Sequence, residues 1–169
     1  MNSGTLVGSL IFAAVLVVIL GMAIRLALRG WRHRAEQQET LIGDLPAVPD
    51  EVGAASTVTA GLYLGCTLSP AWNDRVVVGD LGYRSRATMV AYPAGILLER
   101  TGSRPIWIPR ASIVAISTER GAAGRVAARD GILAVRWRLP SGTEIDTGFR
   151  ADNRDEYAQW VDSWTEGAG

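Results

Sequence analysis

The chain predicts one membrane-spanning helix followed by a mainly-β domain: about seven strands in a bent sheet or partly open barrel, closed by a C-terminal helix. Three observations carry this. Leu6–Ile24 is an apolar run of nineteen residues without a charge. From Ser56 onward, apolar and polar residues alternate in short runs separated by turn residues. The end of the chain carries an apolar stripe of helical period.

The first run is long enough to cross a hydrocarbon core of about 30 Å at roughly 1.5 Å per residue. Arg25, Arg29, Arg32 and Arg34 follow it, and no Lys or Arg precedes it. That asymmetry predicts a single-pass protein of the inner cell membrane, with its N-terminus outside and its C-terminal domain in the cytoplasm. A secretory signal would need a basic start, a shorter apolar core and a small-residue cleavage site. Here the start is uncharged, and Gly21-Met22-Ala23 is followed at once by arginines, so the segment reads as an uncleaved anchor. The anchor takes in residues 1–42, with the span at about 5–28 and a juxtamembrane helix after it. Arg25 and Arg29 can snorkel, Trp31 suits the headgroup level, and Arg32 and Arg34 extend the contact with anionic lipid. Gly4 and Gly8 form a small-residue pair that would permit a homodimer through the span. Gly43, Pro46 and Pro49 end the helix and open a linker over 43–55.

The β-domain is expected over 56–165, with a short tail at 166–169. In its first strand Val58, Ala60, Leu62, Leu64 and Cys66 alternate with Thr57, Thr59, Gly61, Tyr63 and Gly65, which predicts the first set inward. Ser69–Tyr83 is an irregular connection containing the apolar run Val76–Val78. Arg86–Tyr92, Ile96–Arg100, Pro105–Pro109 and Ser112–Glu119 read as further strands, and Gly121–Gly131 as a loop ending in the turn Asp130-Gly131.

Ile132–Leu139 and Thr143–Phe149 flank Pro140-Ser141-Gly142, a three-residue hairpin loop with Gly last. That loop sets Leu139 opposite Thr143, Arg138 opposite Glu144, Trp137 opposite Ile145 and Arg136 opposite Asp146. Two ion pairs then line the outer face, and Leu133, Val135, Trp137, Ile145 and Phe149 line the inner one. Asp152 is the expected N-cap of the closing helix. Tyr157, Trp160, Val161 and Trp164 fall on its apolar face.

Composition narrows the function. All seventeen basic residues are Arg. From Leu41 onward thirteen Arg stand against fifteen Asp or Glu, a net of −2. A mildly acidic domain lacks the basic face that nucleic acid needs. The single Cys66 forms no internal disulfide and reads as core. His33 is the only histidine and lies beside the membrane, out of reach of a triad or metal site in the distal domain. Gly121-Ala122-Ala123-Gly124-Arg125 lacks the Lys-Ser/Thr ending of a phosphate loop. No catalytic residue, metal site or cofactor is expected.

Seven strands followed by one amphipathic helix resemble the pleckstrin-homology (PH) superfold over Ser56–Thr165. The whole chain resembles actinobacterial single-span proteins with a cytosolic PH-like domain, often labelled export or transporter proteins. Tyr83-Arg84-Ser85-Arg86-Ala87-Thr88, Gly95-Ile96-Leu97-Leu98-Glu99-Arg100 and Asp146-Thr147-Gly148-Phe149-Arg150 carry the likeness. The resemblance implies a non-enzymatic interaction or scaffolding module that binds a protein partner at the inner membrane face through a strand edge or loops. It also implies two alternatives: an accessory subunit of a transport or channel complex, or an anionic headgroup-binding domain. For the last, Arg84-Ser85-Arg86 stands where PH domains often carry Arg-x-Arg on the second strand, with Arg75 upstream; the preceding Lys is missing.

Overall fold

The structure, a computed structural model, describes residues 3–71, 73–119, 121–122, 125–126 and 131–165, apart from the side chains of 3–6, 31–37, 121–122, 125–126 and 165. The chain forms two compact units, Met1–Gln37 and Gln38–Gly169.

The first unit is helical and belongs to α1 (Ser3–Ile42). Its Val7–Gly30 stretch is long and apolar enough to cross a membrane. Leu10, Phe12, Val17 and Leu26 are each more than 60 % exposed. A helix apolar on every side is stable in lipid and unfavourable in water. Arg25 and Arg29 are exposed at its C-terminal side. The side chains of Trp31, Arg32 and Arg34 lie outside those described, as do the surroundings of Gly4; a Cβ on Gly8 would meet open space.

The second unit is an open antiparallel sheet. Its strands are β1 (Thr57–Leu68), β2 (Ser85–Tyr92), β3 (Gly95–Arg100), β4 (Ile106–Pro109), β5 (Ile113–Glu119), β8 (Ile132–Arg138) and β9 (Glu144–Ala151), with a small separate hairpin of β6 (Gly121–Ala122) and β7 (Arg125–Val126). The spatial order is β4-β3-β2-β1-β9-β8-β5, so β4 and β5 are the two edges. The expected loop over 121–131 therefore contains a two-residue hairpin; the turn residue Asp130 lies outside the described residues, as does the tail.

The β8–β9 hairpin has the register its loop dictates: Arg138 faces Glu144, Trp137 faces Ile145 and Arg136 faces Asp146. The ion pairs close at 2.7 Å each, and Leu133, Val135, Trp137, Ile145 and Phe149 are fully buried.

The first strand differs from its expected pattern. Val58 is 60 % exposed and Ala60 is exposed, while Thr59 and Tyr63 face the core. The pairing of β1 with β9 shifts between Tyr63 and Gly65. Gly65 adopts φ 120°, a conformation costly for a residue with a Cβ. One added residue reverses the alternation, so Cys66 returns to the inner face. Leu64 instead joins Ile132 and Leu62 in a second small cluster. Before the bulge, Thr59 is tolerated inside because its hydroxyl is satisfied: Trp160 Nε1 donates to it at 2.9 Å, and it donates to Glu156 at 2.5 Å.

The closing helix α2 (Tyr157–Thr165) packs along β5. Tyr157 and Trp160 are buried; Val161 and Trp164 are half-buried. The expected cap is displaced. Asn153, not Asp152, caps the 3-10 turn Arg154–Glu156 by accepting from the Asp155 N–H at 3.1 Å. Asp152 is drawn away by Arg86, which it meets with both carboxylate oxygens.

The alternating pattern starts at Ser56, whereas the compact unit takes in the chain from Gln38. Ile42 is fully buried in the main core, and Leu45 packs on it. Gly43 adopts φ 61° and its N–H donates to Glu39 O, ending the helix. Hydroxyls of Ser141 and Thr143 both donate to Leu41 O, satisfying a helix-end carbonyl. Strand periodicity cannot report a docked helical turn.

A fragment starting at Gln38 should therefore unfold cooperatively in urea, and one starting at Ser56 should lose at least about 2 kcal/mol with the Ile42 side chain. Trp160→Ala should cost roughly 3–5 kcal/mol, and the half-buried Trp164→Ala less. A loss of no more than about 1 kcal/mol at Trp160→Ala would show that Trp160 does not plug the sheet.

Candidate functional site

The connection from β1 to β2 forms the surface on which the candidate residues stand. It is held from below. Val76 and Leu81 are buried, and Tyr63 donates to Leu81 O at 2.7 Å. Arg100, whose side chain is fully buried, lies 4.9 Å over the Tyr63 ring. Its guanidinium donates to the Asp80 and Arg104 carbonyls and pairs with the Asp80 carboxylate at 3.1 Å. A buried guanidinium is tolerated only when its donors are satisfied this fully. On the other side, Gln38 donates to Arg75 O at 3.1 Å and accepts from the Val77 N–H at 2.8 Å.

Arg75 turns back into this connection. Its guanidinium donates to Leu64 O at 3.3 Å and to Gly82 O. Arg86 points outward and makes a bidentate pair with Asp152 at 2.8 and 2.6 Å, both side chains more than half exposed. Arg84 is exposed and engages a partner of its own. Arg84 and Arg86 thus share the start of β2, while Arg75 is directed into backbone carbonyls. Tyr83, 67 % exposed, stands beside them, and Arg150 pairs across Leu62 from Arg86.

The interior groups Tyr63, Cys66, Thr147 and Trp137 are committed to structure. Burial, then the Cys66 thiol beside it, holds the Tyr63 phenol well above its ordinary range. Burial likewise raises the Cys66 thiol, against hydrogen bonds with Thr147 and Tyr63. A thiol kept protonated in this way is a poor nucleophile. Trp137 Nε1 completes the chain by donating to Thr147 at 2.9 Å. Among the described residues no group of three His, Cys, Asp or Glu is placed to hold a metal ion.

A second feature gave no sequence signal. A groove of about 510 Å³ runs beside the start of β5, lined by Pro46, Pro109, Ser112, Val114, Arg138 and Pro140 among others. Its walls come from three separate stretches of chain, so no motif marks it. Arg100 was equally hidden: a lone Arg at the end of an apolar strand reads as exposed until the loop that covers it is known.

An antiparallel seven-stranded sheet closed by one C-terminal helix defines a PH-like module. The chain belongs to the bacterial PH domain-like family, whose model matches residues 42–165. That match begins at Ile42, the residue seated in the core. Among solved structures, the C-terminal domain of an unknown protein from Leishmania infantum is similar, with 11 % identity and a TM-score of 0.43 over 66 % of this chain and 84 % of that one. No curated protein matches the chain.

The Asp80 cluster sets a pH dependence. Burial raises the Asp80 carboxyl, but the Arg104 N–H and the Arg100 guanidinium outweigh it, and the net shift is downward. A carboxyl lowered in the fold adds stability above its unfolded pKa of about 3.9 and loses it as pH falls through the folded value. Asp80→Asn should therefore lower the melting temperature at pH 7 and flatten its decline below about pH 4. Parallel acid titration curves for the two proteins would remove Asp80 from this role.

Proposed function

We propose that this protein is a membrane-tethered, non-enzymatic interaction module, with a PH-like domain on the cytoplasmic face of the inner membrane and its N-terminus outside. The observation that carries the reading is the pairing of a fully exposed apolar helix with a PH-like domain. Four arginines after the span and none before it support the orientation. The commitment of Tyr63, Cys66, Asp80 and Arg100 to structural bonds supports a binding role over a catalytic one. Confinement to one membrane face raises the effective concentration of the domain for partners on the same surface. Arg25, Arg29, Arg32 and Arg34 add contact with anionic lipid at about 1 kcal/mol each.

An in-cell crosslinking pull-down from membranes tests this, using the wild type and a variant whose span is replaced by an unrelated apolar helix. The same protein partner should be recovered from both. Loss of the partner on span replacement would instead assign the contact to the span, as in an accessory subunit of a transport or channel complex. Protease added to intact spheroplasts should leave the domain uncut; its digestion would reverse the orientation.

One observation favours a second reading, headgroup binding: exposed Tyr83, Arg84 and Arg86 lie together at the start of β2. The acidic domain and the Asp152 partner of Arg86 oppose it. Vesicles containing anionic lipid should float only a small fraction of fragment 38–165, unchanged by Arg84→Ala with Arg86→Ala. Strong flotation lost in that double variant would make headgroup binding the primary function.

A further inference from the structure

The last turn of α1 is held by two loops. One is the β1–β2 connection. Leu68 N–H donates to Asp74 O and Val76 N–H to Cys66 O, so residues 74–76 pair with the end of β1. The other rim of this stretch, Arg75 O and Val77 N–H, is met by one side chain, Gln38, which is 4 % exposed. In an extended chain the C=O of one residue and the N–H two residues on point the same way, and a primary amide satisfies both at once, as a neighbouring strand would. The second loop is the β8–β9 turn, where Ser141 and Thr143 donate to Leu41 O at 2.6 and 2.8 Å. Ile42 is seated in the core between them. Three features let this turn come away whole. Its hydrogen bonds to the connection run through one side chain, so they are lost together. A cleft of about 300 Å³, lined by Ile42, Asp44 and Leu45 and by Val78, Asp80 and Leu81, lies along the seam, which is therefore not packed solid. The chain that follows, 43–55, has no regular structure and is mostly exposed, so release leaves the sheet intact.

We propose that the last turn of α1 is a two-state latch: docked, it orders Arg75–Val77 and ties that stretch to the β8–β9 turn; released, it frees both. The far part of the connection has supports of its own, because Tyr63 donates to Leu81 O and Arg100 to Asp80 O. The latch therefore acts on the near part, which carries Arg75 with its guanidinium turned into the Leu64 and Gly82 carbonyls. Gln38 and Leu41 precede the stretch that the PH-like family model matches, so the latch belongs to the junction between helix and domain. The helix that ends in it also contains the apolar stretch Val7–Gly30. In relating the latch to the membrane, the inference rests on the tether proposed above. Coupling of this kind is reciprocal: whatever orders the connection also favours the docked turn.

Residue-resolved amide hydrogen exchange on the full chain in detergent micelles tests it. Gln38→Ala removes the acceptor of the Val77 N–H and should speed its exchange by at least about tenfold. The deciding variant is Ser141→Ala with Thr143→Ala, which removes bonds to Leu41 and none to the connection. If the turn moves as one piece, this variant should also speed Val77 by at least about tenfold, together with Gly43, whose N–H closes the helix on Glu39 O. Ser69 N–H donates to Glu144 O at 3.0 Å, so its amide reports any route between the two loops that bypasses the helix. Ser69 and the β9 amides of Thr147–Phe149 should keep their wild-type rates, which also shows that the variant is folded. An unchanged Val77 in the Ser141 and Thr143 variant, or a rise shared equally by Ser69 and β9, would overturn the latch. Washing membranes with alkaline carbonate separates the two readings. A chain retained in the membrane without the transmitted rise at Val77 leaves the tether standing and the latch refuted. A chain released by carbonate that shows the rise refutes the tether and keeps the latch.

Discussion

One bulge in one strand holds the domain together. β1 is the central strand of the sheet and pairs with β2 on one side and β9 on the other. Its first half must deliver Thr59 and Tyr63 inward, where they meet Trp160 and Arg100. Its second half must deliver Cys66 inward to Thr147. An unbroken period of two cannot do both, because residues 63 and 66 differ by an odd number. The extra residue between Tyr63 and Gly65 reconciles them. Without it, the second half of β1 would turn Cys66 away from Thr147.

The interior carries a connected set of polar side chains. Tyr63, Cys66, Thr147 and Trp137 form a chain of hydrogen bonds, and Arg100 sits above it with its charge matched by Asp80. A network of this kind is stable only when complete, since each orphaned member costs its full desolvation. It specifies one packing of the β1–β2 connection against the sheet. The chemistry-bearing side chains Tyr63, Cys66 and Arg100 are thus engaged inside the domain.

How much of this could be read from the sequence depended on how local the determinant was. The β8–β9 hairpin was fully legible, because three loop residues and two charge pairs fix its register without reference to anything else. The apolar span and the closing-helix stripe were legible for the same reason. The inner face of β1 was not, because Val58 and Ala60 fit the alternation better than Thr59 does, and Thr59 is reconciled only by distant partners, Trp160 and Glu156. Asp152 has the chemistry of a cap, but Arg86, from another strand, competes for it successfully. Of the candidate arginines, the resemblance to PH domains pointed to Arg84 and Arg86 at the second strand. It could not foresee that Arg75 would be spent on the carbonyls of Leu64 and Gly82. The sheet edge at β5 is a property of topology alone: nothing in Ile113–Glu119 says which of its sides has a neighbour.

The long reach of these contacts has a consequence for the order of events during synthesis. Ser141 and Thr143 bond Leu41 across 100 and 102 positions, and Trp160 bonds Thr59 across 101. The ribosome delivers the helix-end residues and the first strand long before the residues that satisfy them. Until the β8–β9 hairpin and then α2 emerge, Ile42 has no completed seat and the Thr59 hydroxyl has no indole. Contacts of such separation also slow closure, because the intervening chain must be ordered before they form. The first half of the domain thus lacks these partners until its last helix is made.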